Sequence, residues 1–375
     1  MLYTNASVFL SHDRFVPCGF RVENGIFVEI VPQDCTEPGA VDLGGSRVIP
    51  GLVDIHTHGN SGADFSDGDL DGLRRMGAYL AANGITSFCP TSMTLPYGTL
   101  ASAFETAVHL RQNRPDGCAR VVGIHMEGPF FSGKKKGAQN GSYLRSPDFE
   151  AFRKLYDGCG GLIRIVDLAP ELDGAVPFTR KARELCTVSV AHTDANYDDA
   201  HAVYEAGARH LTHLYNAMPS IHHRNPGVIG AASEVDAVFA ELICDGLHVH
   251  PSAVRMAFRL FPERICLISD ALRCCGMPDG EYELGGQQVF LSGGVARLAD
   301  GTIAGAASNL FQDLRNAIAF GIPEACAIRA ATWNPARQIG KENEIGSIAP
   351  GLQADFLVCD PNLQLLEVYL AGEKI

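Results

Sequence analysis

Several common features are missing from this sequence. None of its 12 cysteines forms a Cys-x-x-Cys pair, so neither a thiolate zinc site nor a dithiol redox motif is indicated. The cysteines are scattered. Cys89, Cys186, Cys244 and Cys266 sit in apolar runs, and the adjacent Cys274-Cys275 reads as structural. That usage fits a reduced compartment. No apolar run approaches the roughly 18 residues of a membrane span. Residues 1–10 lack the basic start and long apolar core of a secretion signal. A cytoplasmic protein without a membrane role is therefore expected. Basic residues are in the minority, 30 Lys and Arg against 43 Asp and Glu, for a formal net charge of −13. That balance argues against nucleic-acid binding, which needs clustered cations. It leaves an anionic small molecule open, because local charge decides that case. No Gly-x-Gly-x-x-Gly follows a first strand, so a dinucleotide fold is not favoured.

What is present has an alternating texture. At 375 residues with 46% apolar content, the chain can form one large domain or two ordinary ones. Residues 8–10, 19–22 and 26–30 are β-rich, and Asn24-Gly25 between the last two is a hairpin signal. Residues 355–358 and 367–370 have the same character. The two ends are expected to pair into a small β-sandwich domain, 1–48 with 336–375, leaving 49–335 as the main body. That body alternates strand-like stretches (51–55, 85–89, 121–126, 162–168, 188–191, 208–212, 238–244, 265–269) with helical patterns (70–83, 100–113, 198–206, 252–260). Eight strands separated by helices predict a (β/α)8 barrel, with an open doubly wound sheet as the alternative. Residues 281–304 read as a hairpin insertion, and 309–319 and 323–332 as closing helices.

The chemistry gathers around Asp54-Ile55-His56-Thr57-His58-Gly59. On an extended strand His56 and His58 share a face and can grip one metal ion. A lone His-x-His is weak evidence. However, Glu127 follows the third predicted strand, His192 the fifth, His213 the sixth and Asp270 the eighth. Barrel active sites lie at those strand ends. Four histidines and two carboxylates suit zinc, iron, manganese or cobalt, and do not suit calcium or magnesium.

The ordered motifs Pro50-Gly51-Leu52-Val53-Asp54-Ile55-His56-Thr57-His58-Gly59, His125-Met126-Glu127-Gly128-Pro129-Phe130, Thr212-His213-Leu214-Tyr215-Asn216-Ala217-Met218, Cys244-Asp245-Gly246-Leu247-His248 and Ile268-Ser269-Asp270-Ala271 resemble the amidohydrolase superfamily. Within it they resemble the N-acetylglucosamine-6-phosphate deacetylases. The stretch from Gly346 to Asp355 matches how such chains re-enter their small β domain. The resemblance implies a metal-dependent hydrolase with one or two divalent ions, zinc or iron first and manganese or cobalt next. Glu127 would stand where other superfamily members carry a bridging carbamylated lysine. His192 and His213 would hold one ion with Glu127. His56, His58 and Asp270 would hold the other, and because both histidines are kept, two ions are expected.

Asp270 is implied as the catalytic base and acid. Asn216, Ala217, Arg224 and His248 are implied as sugar and phosphate contacts, with the Ile303-Ala304-Gly305 backbone lining the sugar. Lys134, Lys135 and Lys136 read as a solvated loop. One departure stands out. After Lys136-Gly137-Ala138, many family members carry a histidine that contacts the N-acetyl carbonyl; here Gln139 takes its place, able to donate a hydrogen bond but not to carry charge. His125, His201 and His210 carry no expected ligand role, and the last two read as helix surface or packing. The alternatives are the N-acetylgalactosamine 6-phosphate epimer, another amidohydrolase such as one cleaving cyclic amides, and a non-catalytic scaffold. A homodimer is expected, with Arg224 serving its own or its neighbour's site.

Overall fold

The computed structural model describes residues 1–375. Eight parallel strands form the barrel: Leu52–Thr57, Ile85–Ser92, Ile124–Phe130, Ile163–Leu168, Thr187–Val190, His210–Leu211, Phe239–Ile243 and Ile265–Ile268. Each of the eight expected strands is present, with ends shifted by a few residues. The third begins at Ile124, beyond a separate two-residue strand, Arg120–Val121. Gly123 lies in the gap, where a Cβ would meet Arg164 Cγ at 2.3 Å. The sixth shrinks to His210–Leu211, because its next residues turn away at the site. The strands read as nearly continuous apolar runs because both of their faces are covered. Helices outside them bury Phe88, Phe104, Phe130, Phe152, Tyr204 and Phe261 in one large core. Local capping starts several of these helices. Asp69 accepts from the Asp71 and Gly72 amides to open Leu70–Ala82, and Asp148 accepts from the Glu150 and Ala151 amides to open Phe149–Gly158.

The first and eighth strands meet without a regular ladder. Instead, the Asp270 amide donates to His56 O and the His58 amide donates to Ala271 O, each at 2.9 Å. Below this junction Asp54 accepts from Ser269 Oγ at 2.6 Å. The barrel is therefore closed by residues of the metal motif themselves.

The chain ends form one eight-stranded sheet. Arg47–Pro50 runs antiparallel to Phe356–Cys359, pairing Val48 with Val358, and carries the order on to Leu2–Leu10, Arg14–Glu23 and Ile26–Pro32. This is a single connected sheet around its own core of Tyr3, Phe20, Phe27, Phe356 and Tyr369. The Asn24-Gly25 turn joins its second and third strands as expected. Gly51 passes the chain directly from this sheet into the barrel. A Cβ there would lie 2.1 Å from Thr86 Oγ1, so only glycine fits. The insertion after the eighth strand is more than a hairpin. Gly280–Leu284, Gln287–Ser292, Val295–Leu298 and Ile303–Ala306 make a four-stranded antiparallel sheet, and its last strand lies against Ala271.

Candidate metal centre and active site

The six predicted metal-capable residues converge on one point at the C-terminal end of the barrel. Glu127 Oε1 lies 3.1 Å from His192 Nε2, 3.2 Å from His213 Nε2 and 3.7 Å from His56 Nε2. Its other oxygen, Oε2, is 3.3 Å from His58 Nε2. Asp270 Oδ1 sits 3.2 Å from His58 Nε2 and 3.6 Å from His56 Nε2. All of these side chains are buried or nearly so, with Asp270 the most open at 13% exposed. His192, His213 and Asp270 each adopt a left-handed backbone, with φ of 44°, 30° and 49°. Such conformations cost roughly 1–3 kcal/mol each for non-glycine residues. Three at one cluster of strand ends indicate that the surrounding structure enforces them.

The outer nitrogens of three of the four rings are fixed, whereas His213 Nδ1 is buried without a hydrogen-bond partner. His58 Nδ1 is 3.1 Å from Thr91 O, and His192 Nδ1 is 2.9 Å from Lys135 O. A carbonyl oxygen accepts only, so both Nδ1 atoms carry a proton, and each Nε2, once its own proton is gone, presents a lone pair inward. His56 Nδ1 is likewise paired with Glu241 Oε2 at 2.8 Å. Inward lone pairs therefore face carboxylate oxygens, and His192 Nε2 faces His213 Nε2 at 3.1 Å. Acceptors aimed at one another at this range repel unless cations or extra protons lie between them. This donor set fits divalent metal, in the two trios His56–His58–Glu127 and Glu127–His192–His213. The same physics shows in the ionisation of the metal-free cluster. Burial opposes a charge on His58, but hydrogen bonds to Asp270 and Glu127 outweigh it and raise its pKa well above the usual histidine value. For Glu127, burial is overcome by His192, His213 and His58, which hold it well below the usual carboxylate range. Burial, with His125 nearby, drives His56 down to about 3.

A further layer beneath the ligands was not picked out from the sequence. Glu241, fully buried, orients His56 and also accepts from the His213 amide at 3.2 Å. His125 donates from Nδ1 to Ile55 O at 3.0 Å and pairs through Nε2 with Asp167 at 2.9 Å. Burial works against its charge, yet Asp167 raises it to about 9. Both of its ring nitrogens are thereby used within the protein. His210, expected on a helix or in packing, lies on the sixth strand, fully buried and bonded to Ser189 Oγ. A signal did exist. Glu241 and Asp167 interrupt otherwise apolar strands, where a charge is found only with a partner.

Over the cluster lies a cavity of about 170 Å³, lined by Ala138, Gln139, Asn216, Ala217, His248, Ile303, Ala304 and Gly305 together with His58, Glu127, His192 and Asp270. His248 is fixed by Asp245, Nδ1 to Oδ2 at 2.6 Å. Gln139 is buried and doubly engaged. Its Oε1 accepts from the Thr94 amide at 2.7 Å, and its Nε2 donates to Glu127 Oε2 at 2.5 Å. In this chain the residue in the usual histidine place thus grips the central carboxylate. Arg224 is not among the residues brought to the cavity. It lies on an exposed loop against His223, Nη1 to Nε2 at 2.8 Å. A larger cavity, about 480 Å³, lies at the opposite end of the barrel and contains none of the ligands.

The sequence model of the amidohydrolase family matches residues 47–374. The chain belongs to the amidohydrolase family. Among relatives of this amidohydrolase, the N-acetylglucosamine-6-phosphate deacetylase of Bacillus subtilis (strain 168) is 39% identical over 332 residues, 87% of this chain and 84% of the relative. The N-acetylgalactosamine-6-phosphate deacetylase of Escherichia coli O157:H7 is 34% identical, covering 94% and 93%. Among solved structures, a mutant N-acetyl-D-glucosamine-6-phosphate deacetylase from Mycobacterium smegmatis, in complex with N-acetyl-D-glucosamine-6-phosphate, superposes with a TM-score of 0.93. It is 34% identical, with 100% of this chain and 98% of that one covered.

Two outcomes follow for metal binding. Gln139→Ala should weaken metal affinity about 10- to 100-fold, as loss of an outer partner does, read by competition with a chelator; unchanged affinity would mean Glu127 is held without it. Because the metal-free cluster holds protons on His58 and His192 above the ordinary histidine pKa, zinc added to metal-free protein near neutral pH should release protons. Its affinity should fall as the pH is lowered. Affinity flat with pH and no proton release would remove these imidazoles from the ligand set.

Proposed function

We propose that this amidohydrolase removes the acetyl group from N-acetylglucosamine 6-phosphate, giving acetate and glucosamine 6-phosphate. The observation that carries this reading is the convergence of His56, His58, Glu127, His192, His213 and Asp270 on one point, four of them (His58, Glu127, His192 and Asp270) lining a cavity that Asn216, His248 and the Ile303-Ala304-Gly305 stretch also wall. We assign one divalent ion to His192, His213 and Glu127 and a second to His56, His58 and Asp270. Zinc or iron suits the imidazole-rich set first, then manganese or cobalt. When bound, such ions lower the pKa of water and polarise a carbonyl.

The chain's own groups do the rest. Asp270 is the base and then the acid. Burial alone would raise its pKa, but His56 and His58 overcome that and keep it ionised, ready to take a proton from the attacking water. As the new C–O bond forms and the amide C–N bond breaks, Asp270 returns the proton to the departing amine. With its oxygen held by Thr94, the Gln139 amide can only donate into the site. One N–H meets Glu127, and the other is free for the acyl oxygen. Ala138, Asn216, Ala217, Ile303, Ala304 and Gly305 form the sugar subsite. His248, aligned by Asp245, faces the phosphate. Arg224 supplies the second phosphate contact from across a homodimer interface. Its loop is exposed next to Ile221, and Leu247 near His248 is also exposed, at 45% and 48%. No helix is long and apolar enough to cross a membrane, and we place the protein in the cytoplasm. We treat residues 49–335 as the catalytic domain and 1–48 with 336–375 as its companion. A second reading, the galacto epimer, is supported by the similarity to the E. coli relative.

Acetate release from N-acetylglucosamine 6-phosphate, its galacto epimer and the unphosphorylated sugar tests the proposal. Fast turnover of the gluco phosphate alone is expected; inert sugars with metal bound would overturn the substrate. Asp270→Asn should lower turnover about 10²- to 10⁴-fold, and near-normal turnover would sink the acid–base role. Arg224→Ala should raise KM for the phosphorylated sugar about 10- to 100-fold, the worth of a charged hydrogen bond, with kcat little changed.

A further inference from the structure

The cavity of about 480 Å³ at the far end of the barrel has a chemistry of its own. It lies between helix Pro251–Leu260, the start of the eighth strand at Ile265, and helix Glu324–Ala331 with the loop that precedes it. Arg255, Arg259 and Arg329 line it, and Glu263 is its one carboxylate. A chain with a net charge of −13 thus concentrates three cations against one anion in one concavity. Each guanidinium carries five N–H donors, and few are used here. Arg255 donates to Phe320 O at 2.8 Å, and Arg329 donates to Glu263 Oε1 at 3.1 Å. The Glu263 side chain is itself 71% exposed. Arg259 has no hydrogen-bond or ion-pair partner.

The neighbouring Arg264 shows what a structural arginine looks like in this region, since it donates to the Val235, Val238 and Ser233 carbonyls. A helix C-terminus favours a cation in its last turn, which accounts singly for Arg259 and for Arg329, but not for Arg255 or for the gathering of all three in one concavity.

We infer that this groove is a second anion site that takes the phosphomonoester of a small metabolite. Three guanidinium groups against one carboxylate leave two positive charges, which match a phosphomonoester dianion. The planar fork of arginine fits phosphate oxygens in pairs. The volume falls in the range of small-ligand pockets. Phe258, Ile322 and Pro323 supply an apolar wall for the carbon skeleton, which bare phosphate would not need. The site is also linked to the catalytic end by one rigid element. Helix Pro251–Leu260 starts three residues after His248, with His250 as its N-cap. Arg259 rides on that helix eight residues further on, roughly 12 Å along its axis. A ligand gripping Arg255 and Arg259 therefore holds the far end of the helix whose near end positions His248.

The test is calorimetric titration of metal-loaded protein with glucose 6-phosphate, which has no amide to hydrolyse, and with inorganic phosphate. The variants are Arg259→Gln, Arg255→Gln/Arg259→Gln and His248→Ala. Arg259 is exposed and unpartnered, so its replacement leaves the fold and basal deacetylation unchanged. The expected result is a glucose 6-phosphate site weakened at least about tenfold by Arg259→Gln, one charged hydrogen bond's worth. The double variant should weaken it further, and His248→Ala should leave it intact. Inorganic phosphate should bind there at least about tenfold more weakly than the ester. Four outcomes would overturn the inference: no saturable binding, binding indifferent to Arg259→Gln, binding lost only with His248→Ala, or equal affinity for the ester and free phosphate.

Discussion

The structure depends on one buried carboxylate. Glu127 sits where four imidazoles point their inner nitrogens, within 3.1–3.7 Å of its oxygens. An anion in that setting is tolerable only because cationic partners surround it. Everything near it serves to keep those partners aimed. Thr91 and Lys135 lend carbonyls to the outer faces of His58 and His192, Glu241 holds His56, and Gln139 clamps the free side of the carboxylate. Divalent metal completes the charge balance that the protein groups leave open.

That arrangement shapes the backbone as well. The first and eighth strands join through the amides of His58 and Asp270 and through Ser269 on Asp54, so the same residues close the barrel and build the site. The left-handed turns at His192, His213 and Asp270 are unfavourable locally and persist because the strands around them are fully buried. The sheet formed by the chain ends anchors the entry to the first strand. Strand Arg47–Pro50 pairs with Phe356–Cys359 and then passes through Gly51 straight into Leu52–Thr57.

A second tier of polar groups lies under the ligands. His125, bonded to Ile55 O and Asp167, is held above the usual histidine pKa by Asp167 against its burial, and Glu241 beside it is pushed up to about 8 by burial. Asp54 is likewise raised to about 7 by burial, against the pull of its Ser269 hydrogen bonds. None of these groups lines the cavity over the cluster. They set the orientation of His56 and fill the barrel interior, where a purely apolar core would leave the histidines free to rotate.

Taken alone, the sequence determined the fold class and the six ligand candidates. Strand–helix alternation has a period that local residues express, and His56, His58, Glu127, His192, His213 and Asp270 all fall directly after or at the ends of apolar runs, where barrel sites lie. The hairpin at Asn24-Gly25 was legible for the same reason, because turn chemistry is local. What needed the third dimension was the individual side-chain pairings between distant residues. Nothing near Gln139 in the chain says that its amide will meet Glu127 and the Thr94 amide. Nothing in the exposed loop says that Arg224 stays out of its own chain's cavity. Glu241 and Asp167 stand in the sequence as isolated charges in apolar strands, and only packing reveals the histidines that make their burial affordable. The arginine groove at the far end was equally invisible, since Arg255, Arg259 and Arg329 come together only when two helices pack beside the eighth strand. Periodicity fixes which way a residue faces on its own element; the partner it meets depends on how the elements pack, which no local pattern encodes.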